Sequence, residues 1–452
     1  MRFKLSGHRL FGHPASLVIA SFALADLVGT LLLLLPWMHR QPISLLDAFF
    51  TSTSAVCVTG LTVVNTAEAF TRLGQTVILA LIQLGGLGVM TFSILIALGF
   101  KKGLGLQSRL VIQESFLPYG PADLRDLLRT IFLYTFFVEG LVSAFLFVCF
   151  LMRFPLGEAV FHAVFHSVSA FCNAGFSTFR EGLVLYQHSF FVPSLIMLTV
   201  FLGNTGFPVA YELSNRLRRR QRRFSLHFKL TLFTHLFLLG LGTVVLLASE
   251  WRAAFSHFPV WLKFLSALFH SVSARTAGFN TVDMARFSEH GLYFITLLMF
   301  VGACPGSTGG GIKTTTAAVI WAAALSRLRG YLHTVAFKRT IPELQVGKAM
   351  TLLVTAVTAV VLMHFLLTYA VPSFPFYQAQ GEFLATLFEV VSALGTVGLS
   401  TGITSSLHPL GKLLIIVAMF LGRVGLLSML SVLSRVQRPK PYFYAQEEVM
   451  VG

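Results

Sequence analysis

Long apolar stretches dominate this chain, and they come in pairs. Eight runs hold about 20 or more mainly apolar residues, the length that a helix needs to cross the hydrocarbon core of a bilayer. The first members of the pairs are Ala15–Pro36, Leu127–Phe150, Leu226–Ala248 and Met350–Val371. The second members are Gly74–Phe100, Phe190–Leu213, Gly291–Leu325 and Leu410–Leu433. The pattern predicts eight membrane-spanning helices.

One shorter segment recurs between the two members of each pair. Its apolar half contains a phenylalanine followed four residues later by Ser-Ala, and its second half is rich in Gly, Thr and Asn. The four copies are Phe49–Thr62, Val164–Ser177, Leu268–Asn280 and Leu387–Ser400. The apolar half is too short to span a membrane and fits a re-entrant half-helix. Extended backbone at this depth must be buried in protein or line a watery cavity.

The fold class that follows is an all-α membrane protein with four M1–P-loop–M2 repeats in one chain. Each repeat has a spanning helix, a re-entrant pore half-helix with an extended loop, and a second spanning helix. Four such units predict eight transmembrane helices and four half-helices around a central pore. We expect the repeats at residues 1–103, 104–223, 224–340 and 341–436, and a cytoplasmic tail at 437–452.

Composition and charge placement agree with a membrane protein. Hydrophobic residues make up 55% of the chain and charged residues 12%. The net charge is +16, and most of the 34 Lys and Arg residues lie in the termini and the loops between repeats. Such an excess marks the cytoplasmic side. We therefore expect a multi-pass protein of the cell's inner (plasma) membrane, with both termini cytoplasmic, rather than a nucleic-acid-binding protein. The run Arg216–Arg223 also suits anionic lipid head groups or an acidic partner.

The glycine-centred half of the recurring segment has the chemistry of a cation filter. A cation leaving water needs oxygens in place of its hydration shell, and backbone carbonyls from four sides can supply them. Uncharged carbonyl dipoles suit K⁺ better than Ca²⁺ or Mg²⁺, which favour acidic oxygens. The candidate K⁺-binding residues are Val58, Thr59, Gly60, Asn173, Ala174, Gly175, Thr276, Ala277, Gly278, Thr396, Val397 and Gly398. The alternative, glycines that only allow close helix packing, fits poorly with four copies in register.

These motifs resemble a known family. The segments SAVCVTGLTVVNT at 54–66, NAGFS, TAGFN and TVGLS, and PGSTGGGIKTTT at 305–316, are similar to those of the Ktr/Trk/HKT superfamily of potassium transporters. The resemblance covers essentially the whole chain. It is greatest to the membrane subunit of the bacterial KtrB type, which lacks the two extra N-terminal helices usual in Trk-type subunits.

The resemblance implies potassium uptake through one pore per chain with pseudo-fourfold symmetry. It also implies a homodimer and a cytoplasmic ring of KtrA-like, RCK-type nucleotide-binding regulatory subunits. One departure from tetrameric potassium channels concerns the second filter glycine, whose place is taken by Thr62, Ser177, Asn280 and Ser400. We therefore expect weaker selectivity, with passage of Rb⁺ and some Na⁺.

The second apolar run of the third repeat is interrupted by glycines and polar residues. The segment is GACPGSTGGGIK, and the candidate gate residues in it are Gly302, Pro305, Gly306, Ser307, Thr308, Gly309, Gly310, Gly311 and Lys313. Such a segment cannot continue a stable helix, and the other three second runs are expected to be unbroken. A flexible loop at membrane depth must line a cavity, which favours a gate below the filter over a packed kink. A phosphate-binding loop is excluded because Ile312 separates the last glycine from Lys313.

Two arginines stand out at membrane depth. Arg423 in the last apolar run is costly at a helix centre, and we expect it to meet carbonyls or hydroxyls near Gly306–Thr308 rather than to snorkel. The family has an arginine at the matching position with a similar role. Arg275 lies inside the third copy and could reach the outer vestibule or brace the filter from behind. In the fourth copy, Glu389 takes the place of a histidine and is the candidate brace for its filter strand.

Other function classes fit the chain less well. An organic-solute transporter would show inverted repeats and acidic residues at mid-membrane, whereas these repeats are parallel and the acids lie mostly in loops. An enzyme would need a clustered constellation of His or acidic residues on one helix, and the sequence has none. We expect no covalent cofactor. The sequence leaves open whether flux is passive or coupled, with Na⁺ a candidate coupling or activating ion.

Overall fold

A computed structural model describes residues 14–99, 121–217, 223–370 and 381–425. Outside these residues lie the predicted tail at 437–452 and the end of the last apolar run. Residues 218–222 of the basic run Arg216–Arg223 also lie outside them. The described part is helical apart from one small hairpin, in which β1 (Val335–Ala336) pairs antiparallel with β2 (Arg339–Thr340).

Fifteen helices follow one another along the described residues. They are α1 Pro14–Leu33, α2 Leu45–Val56, α3 Thr66–Ala69, α4 Arg72–Gly99, α5 Pro121–Leu151, α6 Leu156–Phe171, α7 Phe191–Asn204, α8 Phe207–Leu217, α9 Leu226–Glu250, α10 Val260–Ser273, α11 Glu289–Phe300, α12 Thr314–Leu328, α13 Glu343–Ala370, α14 Glu382–Gly395 and α15 Pro409–Val424. Three 3₁₀ turns lie at Gly182–Tyr186, Met284–Arg286 and Ile403–Ser406.

The first member of each apolar pair forms a helix long enough to cross a membrane. The four stretches that meet this test by length and composition are Ser16–Leu33, Arg125–Leu151, Leu226–Glu250 and Glu343–Ala370. Helices α7 and α8 together would make a fifth span, although they are bent by 90° at their junction. Among the other second runs, α4 is one continuous helix of 28 residues and α15 is described for 16 residues.

The bend between α7 and α8 contradicts the expectation that the run Phe190–Leu213 is unbroken. Gly206 has a φ of +92°, which a helix cannot contain. Pro208, in the first turn of α8, has no N–H to continue the hydrogen bonding of α7. A Cβ on Gly206 would lie 2.6 Å from the carbonyl oxygen of Pro305. The bend therefore fits against the loop that divides α11 from α12.

Short-range signals set where several helices begin. The Ser44 hydroxyl caps α2 by accepting a hydrogen bond from the N–H of Asp47 at 3.1 Å, and Ser225 caps α9 in the same way. Pro155 and Pro259 stand immediately before α6 and α10. These residues have extended backbone and favour helix starts, so local sequence sets where these four helices begin.

Four short helices, α2, α6, α10 and α14, carry the apolar half of the recurring segment. These short helices form the centre of the molecule. The phenylalanines shared by the four copies are at most 2% exposed. The long first-run helices surround them, and only 11–33% of the residues in their apolar windows are buried. Apolar side chains such as Phe137 and Phe365, 68% and 64% exposed, therefore form an outer surface suited to lipid.

Candidate functional site

Each short helix is followed by a backbone turn that is rare for ordinary residues. One residue with a positive φ comes first, and a glycine with a positive φ follows two residues later. These pairs are Val58 and Gly60 (+55° and +94°), Asn173 and Gly175 (+60° and +69°), Thr276 and Gly278 (+70° and +74°), and Thr396 and Gly398 (+49° and +91°). Non-glycine residues in this region are strained, and they concentrate at functional sites. The first and third residues of the four predicted filter triplets thus share a left-handed backbone conformation.

The four glycines form a closed ring in chain order. A Cβ on Gly175 would lie 2.9 Å from the carbonyl oxygen of Ala277, and one on Gly278 would lie 2.6 Å from that of Val397. A Cβ on Gly398 would collide with the carbonyl of Thr59 in the first copy, and one on Gly60 with the carbonyl of Ala174. Each strand therefore contacts the next, and the fourth contacts the first. The structure brings the four predicted strands together around one axis.

The carboxyl ends of the four short helices meet this ring, because the helices end one to three residues before the first left-handed residues. The carboxyl end of a helix carries a partial negative charge from its unpaired carbonyls. Four such ends favour a cation at the centre of the ring.

Four serines hold the strands of the ring. In three copies the N–H before the glycine donates to the carbonyl of the serine five residues back, at 2.7–2.8 Å; in the third copy, Ala277 donates to Ser273, four residues back, at 3.0 Å. The hydroxyls of Ser54 and Ser392 accept from the N–H groups of Gly60 and Gly398, at 3.1 Å and 3.0 Å. The hydroxyls of the other two serines donate to carbonyls just beyond their glycines.

Three side chains hold the backbone beyond the glycines of the second and fourth copies. The Nε2 atom of His166 lies 2.9 Å from the hydroxyl of Ser177. In the fourth copy Glu389 takes this place: its carboxylate accepts from Ser400 at 3.0 Å and from the hydroxyl of Thr404. His162 lies 2.6 Å from the hydroxyl of Thr178. Both histidines therefore have hydrogen-bonding partners within the protein.

The loop of the third repeat lies directly against one end of the ring. Three consecutive residues each meet the first residue of a different strand. The Nδ2 atom of Asn173 donates to the Thr308 hydroxyl at 2.8 Å. A Cβ on Gly309 would collide with the hydroxyl of Thr276, and one on Gly310 with that of Thr396. The loop therefore covers the ring closely, and its glycines are required by the space available.

The loop packs against the bend between α7 and α8. The N–H of Phe207 donates to the carbonyl of Gly306 at 2.8 Å. The Thr308 hydroxyl donates to the carbonyls of Phe171 and Gly203, at 3.0 Å and 3.2 Å. The loop is thus attached to the second repeat as well as to its own.

Three cationic side chains hold the loop by its backbone carbonyls. Arg423, 6% exposed, donates to the carbonyls of Thr308 and Gly85, and so joins the loop to α4. Lys313 donates to the carbonyl of Gly309 at 2.8 Å. Arg275 donates to the carbonyl of Gly302 at 2.9 Å. Arg275 therefore lies at the beginning of the loop rather than in an outer vestibule.

Between the ring and the loop lies a set of polar oxygens without hydrogen-bond partners among the described residues. They belong to buried side chains and are Thr276 Oγ1, Thr396 Oγ1 and Asn173 Oδ1. Together with the strand carbonyls they can replace water around a cation. Within the described residues, no group of three or more His, Cys, Asp or Glu side chains could hold a metal ion.

For several residues of this site, no role was predicted from the sequence. The four serines recur in every copy at a nearly fixed distance from the glycine, which is a signal of their role. Gly85 and the bend at Gly206 have weaker signals, a Gly-Gly pair and a Gly-Phe-Pro triplet. Their role depends on contacts with the third and fourth repeats.

Comparisons with known proteins agree on one family. The family model described as TrkH, cation transport protein, matches residues 9–444. The Ktr system potassium uptake protein B of Bacillus subtilis is 36% identical over 97% of each chain. The potassium/sodium uptake protein NtpJ of Enterococcus hirae is 34% identical over 97% of each chain. The crystal structure of the potassium transporter TrkH from Vibrio parahaemolyticus has a similar fold, with a TM-score of 0.71 at 21% identity, covering 97% of this chain and 87% of that one.

Proposed function

Because the chain belongs to the TrkH family of cation transport proteins, we propose that it takes up potassium ions across the plasma membrane. The ion passes through a pore enclosed by the four repeats of one chain. Relatives at 33–36% identity are named for potassium uptake. Both termini and the basic loops between repeats face the cytoplasm, where excess Lys and Arg are retained.

The closed ring of four glycines carries this proposal. Each of its strands has the same alternation of left-handed residues, and each is approached by the carboxyl end of a short helix. Carbonyl oxygens arranged on four sides can replace the hydration shell of a monovalent cation. We assign the selectivity filter to the twelve residues predicted from the sequence.

The loop Gly302–Lys313 acts as the gate. It fits against the filter strands of three repeats, and Asn173 and Arg423 tether the same residue, Thr308. In this position it obstructs the path below the filter, so conduction requires the loop to move. Five of the twelve loop residues are glycine, which gives the backbone the freedom to move; the movement must break the hydrogen bonds of the buried Thr308 hydroxyl.

Regulation enters from the cytoplasmic side. Helix α8 begins at the bend that contacts the loop. Its last turn contains Arg216, the first residue of the basic run. A KtrA-like nucleotide-binding ring that contacts this region can move α8 and, through the Phe207–Gly306 hydrogen bond, the loop. We place this ring, and the second copy of a homodimer, beside the cytoplasmic loops. The family resemblance supports both partners.

Rubidium uptake into liposomes tests the proposal. Purified chain is reconstituted, and Rb⁺ uptake is measured with K⁺, Na⁺ or Li⁺ as competitor. Wild type should be inhibited best by K⁺, and Gly278→Ser should lose this preference because its Cβ collides with the Val397 carbonyl. Gly157→Ser is the matched control, since Gly157 has no atom within 4 Å of an added Cβ. Equal competition by all cations in wild type, or the same preference in both variants, would overturn the filter assignment.

A further inference from the structure

Two acidic side chains are buried well inside first-run helices, away from the helix ends. Asp26 on α1 is 4% exposed and Glu139 on α5 is 6% exposed. They occupy the same place in their repeats. The hydroxyl of Ser52 on α2 donates to the carbonyl of Asp26 at 2.8 Å, and that of Ser167 on α6 donates to the carbonyl of Glu139 at 2.7 Å.

Neither carboxyl group has a cationic partner among the described residues. Asp26 Oδ2 accepts from the hydroxyl of Thr53 at 2.7 Å, and Glu139 Oε2 accepts from the amide of Gln83 at 3.3 Å. Asp26 Oδ1 and Glu139 Oε1 are buried with no partner in the described structure. An ionised carboxylate in an apolar interior costs far more than its neutral acid unless it is paired. The arrangement therefore favours a carboxyl that holds its proton.

The surrounding groups are also too few to coordinate a metal cation. At Asp26 the additional side-chain oxygens are the hydroxyls of Thr53 and Ser52. At Glu139 the amide of Gln83 points its nitrogen at the carboxyl, and its oxygen lies 3.5 Å from the sulfur of Cys172. Hard cations take about six or more oxygen ligands. A proton needs only the one free oxygen that each carboxyl offers.

The titratable groups on the neighbouring helices leave the two acids without a counter-charge. Helix α7 has none, and the one on α4, Arg72, pairs with Glu158 of α6 at 3.6 Å. On α5 itself, Tyr134 donates to the carbonyl of Leu202 at 3.1 Å. On α8, Glu212 accepts from the backbone and hydroxyl of Ser225, and Tyr211 is buried beside it.

The remaining titratable groups lie on the short helices, just after them, or on α15. His162 and His166 on α6 face Thr178 and Ser177. Asp47 of α2 pairs with Lys412. Cys57 and Cys172, which directly follow α2 and α6, are buried thiols. The Arg423 guanidinium is itself held by the carbonyls of Thr308 and Gly85.

We propose that Asp26 and Glu139 are proton-binding sites within the membrane, each carrying its proton at neutral pH. The two sites flank the filter in the first and second repeats. The third repeat supports the comparison, because Ser271 makes the same hydrogen bond, at 2.8 Å, to the carbonyl of Leu239. A neutral apolar side chain stands there in place of the acid. The proposal does not depend on the identity of the transported ion.

Infrared difference spectroscopy of the full-length chain in lipid vesicles at neutral pH tests this inference directly. A protonated carboxyl group has a C=O stretching band that is separate from carboxylate bands and shifts in D₂O. Asp26→Asn and Glu139→Gln should each remove one component of this band from the wild-type spectrum. Glu158→Gln is the control, because Glu158 is half-exposed and paired with Arg72, and it should remove none.

Spectra in which neither substitution removes a C=O component would show that both acids are ionised and would overturn the proposal. Glu139→Leu provides the same comparison if Glu139→Gln does not fold, since it places in the second repeat the residue that the third repeat carries. This readout requires no transport, so its failure is distinct from a failure of the potassium-uptake proposal.

Discussion

The guanidinium of Arg423 donates a hydrogen bond to the carbonyl oxygen of Thr308, a residue 115 positions earlier in the chain. The same side chain also donates to the carbonyl of Gly85. One buried residue of the fourth repeat thus joins the loop of the third repeat to the second helix of the first. The position of the loop is therefore set by three repeats together.

Removing this tether should release the loop. In Arg423→Gln we expect faster Rb⁺ uptake into liposomes, because two buried carbonyls lose their donor at a cost of about 1–3 kcal/mol each. Arg180→Gln is the control, since Arg180 is exposed and pairs with Glu68. Thermal unfolding monitored in detergent separates a loosened loop from an unfolded protein. Folded Arg423→Gln with the wild-type uptake rate would exclude a gating role for the tether.

The contact between Gly310 and Thr396 offers a double-mutant test. Gly310→Ala should displace the loop, because the added Cβ would collide with the hydroxyl of Thr396. Uptake should therefore rise. Thr396→Ala removes the colliding atoms, so the double variant should return toward the wild-type rate. Effects that simply add would show that the two residues are not in contact in the working protein.

The bend at Gly206 should be sensitive to a single methyl group. Gly206→Ala must hold alanine at a φ of +92°, a strain of about 1–3 kcal/mol, and it pushes against the carbonyl of Pro305. We expect a lower unfolding temperature together with raised Rb⁺ uptake. Gly140→Ala on α5 is the matched control, because an added Cβ there has no atom within 4 Å. If both alanine variants transport and unfold alike, the bend does not position the loop.

An ion pair joins the fourth repeat to the first. Lys412 of α15 lies 2.7 Å from Asp47 of α2, and both side chains are less than 20% exposed. Asp47→Asn should lower the free energy of unfolding by more than Glu158→Gln, whose partner Arg72 is 3.6 Å away and largely solvated. The exchanged pair Asp47→Lys with Lys412→Asp should recover part of the loss. Equal effects of the two single substitutions would mean that the buried pair adds no stability.

The sequence located the pieces of the site better than their arrangement. Apolar runs, the fourfold motif and the glycine-rich interruption are visible in the sequence, because they depend on local composition and spacing. The partner region of Arg423 was inferred from the cost of an arginine at a helix centre and from the family resemblance. The bend at Gly206 was missed because the run Phe190–Leu213 is long and mostly apolar, and the Gly-Phe-Pro signal inside it is short. The contact with Pro305 that this bend makes is not visible in the sequence.

Long-range contacts were harder to anticipate. Asp26 and Glu139 lie inside apolar runs, and the average hydropathy of each run stays high despite the single acid. Their place beside the short helices depends on Ser52 and Ser167, whose hydroxyls donate to the carbonyls of the two acids. The order in which the four glycines meet likewise depends on how whole repeats pack, which spacing along the chain does not specify.

The loop that meets three strands has a consequence for how such a protein can vary. In a ring of four identical subunits, any loop would exist in four copies competing for one opening, and any substitution would appear in all four walls at once. Here one gene encodes four different walls. A single codon change therefore alters one quarter of the ring, so the obstruction and the surface that surrounds it can change in small, separate steps.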